Sequence, residues 1–158
     1  MPVSRFNVRV YMLLYDESFT RLMLSDEIVK GEYYTKFPGG GLEYGEGILE
    51  CLHREAKEEL GQEVDVLNQF YTSEIFQTSK FAPEDQLVCV YYQCCLAKNE
   101  QGQRLPVFRL STQKFGFVEK REREESFRWQ EIDSLQEEDV SFDLDRKVVK
   151  RLLEDARK

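Results

Sequence analysis

The sequence predicts an α/β fold of the sandwich type, strands flanked by helices on both sides. Three observations carry that expectation: a segment of period-two alternation near the N-terminus, a nearly continuous apolar run at residues 86–96, and two segments, around 49–60 and 143–158, whose apolar residues recur at helical spacing.

Taken in order, Phe6, Val8, Val10, Met12 and Leu14 alternate with Arg5, Asn7, Arg9 and Tyr11, the pattern of a strand with one face more deeply buried. Arg21 to Leu24 is its candidate hairpin partner. Phe37-Pro38-Gly39-Gly40-Gly41 is too rich in glycine for the interior of an element and lets bare backbone approach a ligand. A helix follows, with Leu49, Leu52, Ala56 and Leu60 as its apolar stripe and Gly61 where a left-handed residue commonly ends a helix. Val64 to Phe76 offers another strand. Gln86 to Leu96, rich in Leu, Val, Cys and Tyr, reads as a central strand covered on both faces. Lys98 to Lys120, broken by Asn99, Gly102 and Pro106, is the expected irregular insertion. Residues 119–125 mix charge signs and read as a solvated loop. Asp143 to Lys158 places Leu144, Val148 and Leu152 on one face of a closing helix. At 158 residues the chain has the size of one domain, 1–158, able to bury roughly 70% of its unfolded surface.

Composition narrows the function. Thirty Asp and Glu against 22 Lys and Arg give a formal charge of -8, which argues against holding a nucleic acid polymer through its phosphates. Small phosphorylated substrates stay open, because a divalent cation can bridge their charge to an acidic pocket. No apolar run suits a signal peptide or a membrane span, so a cytoplasmic protein without membrane partners is expected. Cys51, Cys89, Cys94 and Cys95 lack zinc-ligand spacing and read as buried thiols. The single histidine, His53, lies about 160° around the helix from Glu55, which disfavours serine-histidine catalysis.

Glu55, Glu58 and Glu59 stand at i, i+3 and i+4 and crowd one helix face. Each close like-charge pair costs an isolated helix roughly 0.2 to 0.5 kcal/mol unless a cation neutralises it. A solvated acidic face is the plain alternative. The glycine loop just upstream and the helix end just after the last acid favour a cation site.

The span Gly40 to Gly61, with Glu46 six positions after Gly40 and the block Arg54-Glu55-Ala56-Lys57-Glu58-Glu59-Leu60-Gly61, resembles a Nudix box. Only its last position departs, Gln62 standing where an aliphatic residue is usual. The resemblance implies a Nudix-type α/β/α sandwich with a mixed sheet and metal-assisted hydrolysis of a diphosphate linkage. It further implies Mg²⁺, with Mn²⁺ as substitute, on Glu55, Glu58, Glu59 and the Gly40 carbonyl. Arg54 then orients the neighbouring glutamate and Glu46 braces the site from the loop. Glu59, Glu55 and Glu125 are candidate general bases. Glu125 qualifies because Glu125 to Ile132 resembles the late Nudix strand that carries an acid and a tryptophan, here Trp129, although Glu122 or Glu124 could replace it. The substrate expected is a nucleoside triphosphate or a nucleoside diphosphate derivative. Residues 77–81 give no further sign of it, whereas Tyr33, Tyr34, Phe37 and Tyr44 could clasp a base or simply pack the loop. The alternative is a catalytically silent nucleotide-binding or regulatory domain, which would be free to lose Glu58 or Glu59. A homodimer stays open.

Overall fold

A computed structural model describes residues 2–158. Seven strands and two helices follow in the order β1 (Arg5–Tyr15), β2 (Arg21–Val29), β3 (Glu32–Lys36), β4 (Gly39–Gly41), α1 (Ile48–Leu60), β5 (Val64–Thr72), β6 (Asp85–Leu96), β7 (Arg123–Glu131) and α2 (Asp143–Ala156). Two short 3₁₀ turns, Ile132–Ser134 and Glu137–Asp139, link β7 to α2.

The sheet is mixed. β6 lies between β1 and β5, parallel to β1 from Arg5↔Asp85 to Tyr15↔Cys95 and antiparallel to β5. β1 meets β2 only at Tyr15↔Leu22 and otherwise takes β4 as its antiparallel neighbour, with Arg9 opposite Gly41 and Val10 opposite Gly40. β2 pairs instead with β3 and β7. The sheet thus splays where β1 and β2 part.

Alternation along β1 and β6 feeds both faces. Val10, Met12, Leu14, Cys94 and Leu96 pack under α1, while Leu13, Cys89, Tyr91 and Leu22 pack under α2 with Leu144, Val148 and Leu152. Two apolar layers with a helix over each make the α/β/α sandwich that the periodicity predicts. No helix among the described residues is long and apolar enough to cross a membrane.

Several boundaries differ from expectation. Leu49 is 46% exposed; the buried stripe of α1 is Cys51, Leu52, Ala56 and Leu60, because the helix turns the box cysteine into the core. The partner of β1 is no four-residue hairpin arm but a nine-residue strand, which pairs β7 along its whole length from Arg21↔Glu131 to Val29↔Arg123. β5 stops at Thr72, leaving Ile75 and Phe76 exposed. The charged stretch 119–125 is only partly loop: Arg123, Glu124 and Glu125 pair with Val29, Ile28 and Glu27. Residues 98–120 do run irregularly, bridged to β7 only at Leu110↔Phe127. All four cysteines are buried free thiols.

Candidate active site

The loop into α1 is built on Gly47, whose N–H donates to the Glu50 carboxylate at 3.2 Å, a cap that starts the helix after the glycine-rich strand. Gly61, at φ +66°, ends it in the left-handed conformation, its N–H bonded to the Lys57 carbonyl at 3.0 Å. Two acids of α1, Glu55 and Glu59, face the β4 backbone. A Cβ added to Gly40 would lie 2.3 Å from Glu55 Oε1, so only glycine leaves room for that carboxylate. The Gly39 N–H donates to Glu59 Oε2 at 3.2 Å.

Arg54 gathers the box. Its Nε and Nη2 hold Glu46 in a fork at 2.9 and 2.7 Å, and Nη2 also reaches the Gly41 carbonyl at 2.9 Å. Nη1 donates to Glu55 Oε1 at 3.0 Å and to Glu58 Oε2 at 3.1 Å. The fork is the bidentate geometry an arginine supplies and a lysine does not. The guanidinium holds the Glu46 carboxyl down at about 2.

Glu55, Glu59 and Glu27 line a cleft of about 780 Å³ with Gly39, Gly40 and Gly41. Glu58 does not; its exposed side chain turns to Arg54. The i, i+3, i+4 spacing therefore brings two of the three box acids into the cleft, because Arg54 draws the third along the helix surface. Glu125 is reached through β2: Ser25 Oγ donates to its Oε2 at 2.9 Å, and the register sets it opposite Glu27. Glu124 is instead tied to Arg121, and Glu122 is exposed. His53 does not line the cleft.

Electrostatics follow from this crowding. Burial is the largest cause that raises the Glu59 carboxyl, with Glu55 and Glu27 adding to it and Lys36 and the Gly39 N–H opposing. Glu125 keeps solvent access by surface area, yet the protein packed around it, Glu27 within hydrogen-bonding reach and Glu59 beyond raise its carboxyl as well. The surrounding atoms, more than the open side, set that direction. Lys36, largely buried on the cleft wall, balances part of the charge, its Nζ 3.3 Å from Glu27 Oε1. On the cleft floor the buried Asp145 accepts from the Tyr91 hydroxyl at 2.6 Å.

Among the described residues no three His, Cys, Asp or Glu side chains are gathered as a ready metal cluster. The donor chemistry nonetheless fits a hard divalent cation: Glu27, Glu55 and Glu59 line the cleft, Glu125 adjoins Glu27, and Lys36 is their buried cation.

Glu27, Lys36 and Asp145 escape sequence reasoning, since strand pairing and the arrival of α2 bring them in. Of the four aromatics around the glycine loop, none lines the cleft. Phe37 is core, Tyr34 is buried, Tyr33 packs on Phe115 and Phe117, and Tyr44 is fully exposed. Phe81 and Phe142 line the cleft in their place. Residues 77–81, uninformative as sequence, form one wall of it.

This constellation, a glycine strand under a carboxylate helix braced by one arginine, agrees with comparisons to known proteins. The NUDIX domain model matches residues 5–152, and the chain belongs to the Nudix family. It is a hydrolase of phosphoric anhydride bonds, in a family that generally uses divalent metal ions. A comparison with curated proteins finds no significant match. Among solved structures it shares its fold with a MutT NUDIX hydrolase from Burkholderia pseudomallei, at 16% identity over 93% of this chain and 98% of that one, TM-score 0.64. A MutT protein from Methanosarcina mazei Go1 gives 16% identity over 98% of each chain, TM-score 0.60. A UDP-X diphosphatase gives 17% identity over 98% of this chain and 62% of that one, TM-score 0.57.

Proposed function

We propose that the chain is a Mg²⁺-dependent pyrophosphohydrolase, with Mn²⁺ as a substitute, that cleaves the diphosphate linkage of a nucleoside triphosphate or nucleoside diphosphate derivative. The observation that carries this reading is the carboxylate surplus beside the box glycines, where Glu55 lies over Gly40 and Glu59 is held by Gly39. The fold shared with a UDP-X diphosphatase supports a diphosphate derivative as substrate.

Glu55, Glu59 and the Gly40 carbonyl are the proposed ligands on the cleft side, with Glu58 the further acid. These residues would hold a hard divalent cation, which when bound would supply charge neutralisation for the phosphates and a water of lowered pKa. The chain itself supplies position. Arg54 holds Glu55 by a charge-assisted hydrogen bond and is in turn fixed on Glu46, so the carboxylate presents one orientation to the cleft. The Gly39 N–H does the same for Glu59. Phosphoryl transfer depends mainly on such positioning and charge neutralisation. The general base is proposed among Glu59, Glu55 and Glu125; burial of Glu59 and crowding of Glu125 make both better proton acceptors than an ordinary carboxylate. The partners proposed are small nucleotides, and the proposed compartment is the cytoplasm, where four buried free thiols stay reduced.

Nucleoside triphosphates, nucleotide sugars and dinucleotides are incubated with wild type and Glu59→Gln, in Mg²⁺ and in EDTA, with products separated by ion exchange. Turnover of at least one diphosphate in Mg²⁺, lost in EDTA and reduced at least 100-fold in the variant, is expected. Binding without turnover across the whole panel would instead make the chain a silent nucleotide-binding domain.

A further inference from the structure

Arg9 lines the same cleft from β1, half-buried and oddly matched. Among the described residues no carboxylate stands within ion-pair distance of its guanidinium, in contrast to Lys36 on Glu27. Its one side-chain hydrogen bond runs from Nε to the Tyr11 hydroxyl, 3.1 Å away, and its Cζ lies 5.7 Å from the Tyr11 ring centroid. Arginine carries five N–H donors and keeps its charge. One donor is used, so the Nη1 and Nη2 groups find no protein acceptor.

Arg9 pairs with Gly41 and Val10 with Gly40. Neighbouring strand residues face opposite sides, yet Arg9 and the Glu55 that packs over Gly40 both line the cleft. A Cβ on Gly41 would come within 3.3 Å of Arg9 Nη1. The absence of a side chain there leaves room for the fork on the cleft that Glu55 and Glu59 also line. Withdrawing a cation partly from water without pairing it is unfavourable, and in a chain of net charge -8 acids to pair with are plentiful. The exposed Lys30 and Arg123 on the same cleft raise no such question, since solvent satisfies them.

We propose that Arg9 is a substrate-binding residue whose Nη1 and Nη2 groups take two non-bridging oxygens of the phosphate lying beside Gly40 and Gly41. This rests on the pyrophosphohydrolase reading and adds to it. Recognition at this point is of the phosphate and not of the base, so it favours every substrate with a diphosphate. Tyr11 fixes the plane of the fork through Nε, leaving the outer edge for two parallel N–H···O bonds.

Calorimetric titration of wild type, Arg9→Gln, Arg9→Lys and Tyr11→Phe in Mg²⁺ decides it. The probes are inorganic pyrophosphate and the α,β-methylene analogues of ADP, GDP, CDP and UDP, whose bridging carbon is not cleaved. Arg9→Gln is expected to weaken pyrophosphate and all four analogues at least tenfold, about 1.4 kcal/mol, by similar factors. Arg9→Lys should fall between, keeping charge without the fork, and Tyr11→Phe should lose less. Unchanged affinity would overturn the proposal, and so would a loss confined to one base, which would make Arg9 a base reader. A lowered melting temperature with affinity intact would reduce Arg9 to a counter-charge for Glu55 and Asp145. Because no probe need be cleaved, binding that depends on Arg9 in a protein without turnover would refute the hydrolase reading alone. Turnover with normal binding by Arg9→Gln would refute only the role of Arg9.

Discussion

Arg54 touches Glu46, Glu55, Glu58 and the Gly41 carbonyl, so one side chain joins the loop, β4 and two turns of α1. It is absent from the cleft wall, which suits an orienting residue more than a substrate clamp. Lysine at this position keeps the charge but offers three donors from a single atom and cannot reproduce the fork on Glu46. Arg54→Lys is therefore expected to lower kcat by about 10- to 100-fold with KM changed little, since misplaced ligands impair the transition state more than the ground state. Steady-state kinetics on the best substrate of the panel measure both. A large rise in KM with kcat preserved would show that Arg54 clamps phosphate.

Among the elements, α1 and the irregular segment 98–120 depend on a residue that the box pattern marks as a departure. Gln62 is polar where an aliphatic residue is usual, and its amide is used at both ends: Nε2 donates to the Leu105 carbonyl at 2.8 Å and Oε1 accepts from the Val107 N–H at 3.0 Å. The exit of α1 is thus pinned to the insertion by two hydrogen bonds, each worth about 1 kcal/mol net. Gln62→Ala should speed exchange of the Val107 amide while leaving the core strands protected and the melting temperature within a few degrees. Amide exchange resolved by residue checks this; unaltered exchange at Val107 would mean that the insertion is held elsewhere. Asp26 offers one such hold. Fully buried on β2, it accepts from Arg128 Nε at 2.7 Å, from Thr35 at 2.7 Å and from the Phe115 N–H at 3.0 Å, linking β7, β3 and the insertion.

For the molecule as a whole, the excess of buried acid couples stability to pH. Burial, the largest cause, raises Asp145 from an ordinary 3.8 to about 6 despite the Tyr91 hydroxyl and nearby Lys36, and raises Glu59 and Glu125 too. Between the unfolded and folded values the folded chain binds the extra proton. Stability then falls as pH rises through that interval, by on the order of 3 kcal/mol for Asp145 alone. Glu46, held at about 2 by Arg54, acts in the opposite sense, its contribution being present above the ordinary 4.5 and lost on acidification. The metal-free protein should accordingly melt lower at pH 8 than at pH 5, and Asp145→Asn should flatten the part of the decline between about 4 and 6. A divalent cation that binds only the folded state restores RT ln(1 + [L]/Kd), about 2.7 kcal/mol at a hundredfold excess over Kd. Melts from pH 4.5 to 8, in EDTA and in Mg²⁺, provide the measurement. A melting temperature that climbs with pH in EDTA would contradict the account.

The fold class, the course of β1, β6, α1 and α2, and the box itself were legible in the sequence, because each is written in local spacing: period two, period 3.6, or residues a turn apart on one helix. Glu55, Glu59 and the bracing pair Arg54 and Glu46 were legible for the same reason, all lying within one loop and helix. The rest depended on contacts between distant parts of the chain. Glu27 meets Glu125 only through the β2–β7 register, Lys36 reaches the cleft only because β3 borders β2, and Asp145 arrives with α2 after the entire sheet has been laid down. The turn of Glu58 to Arg54 is an i, i+4 contact and so belongs to local spacing, whereas the lining of the cleft by Phe81 and Phe142 was decided in three dimensions. Local periodicity tells which face of an element a side chain takes, whereas strand register and packing determine what that face meets.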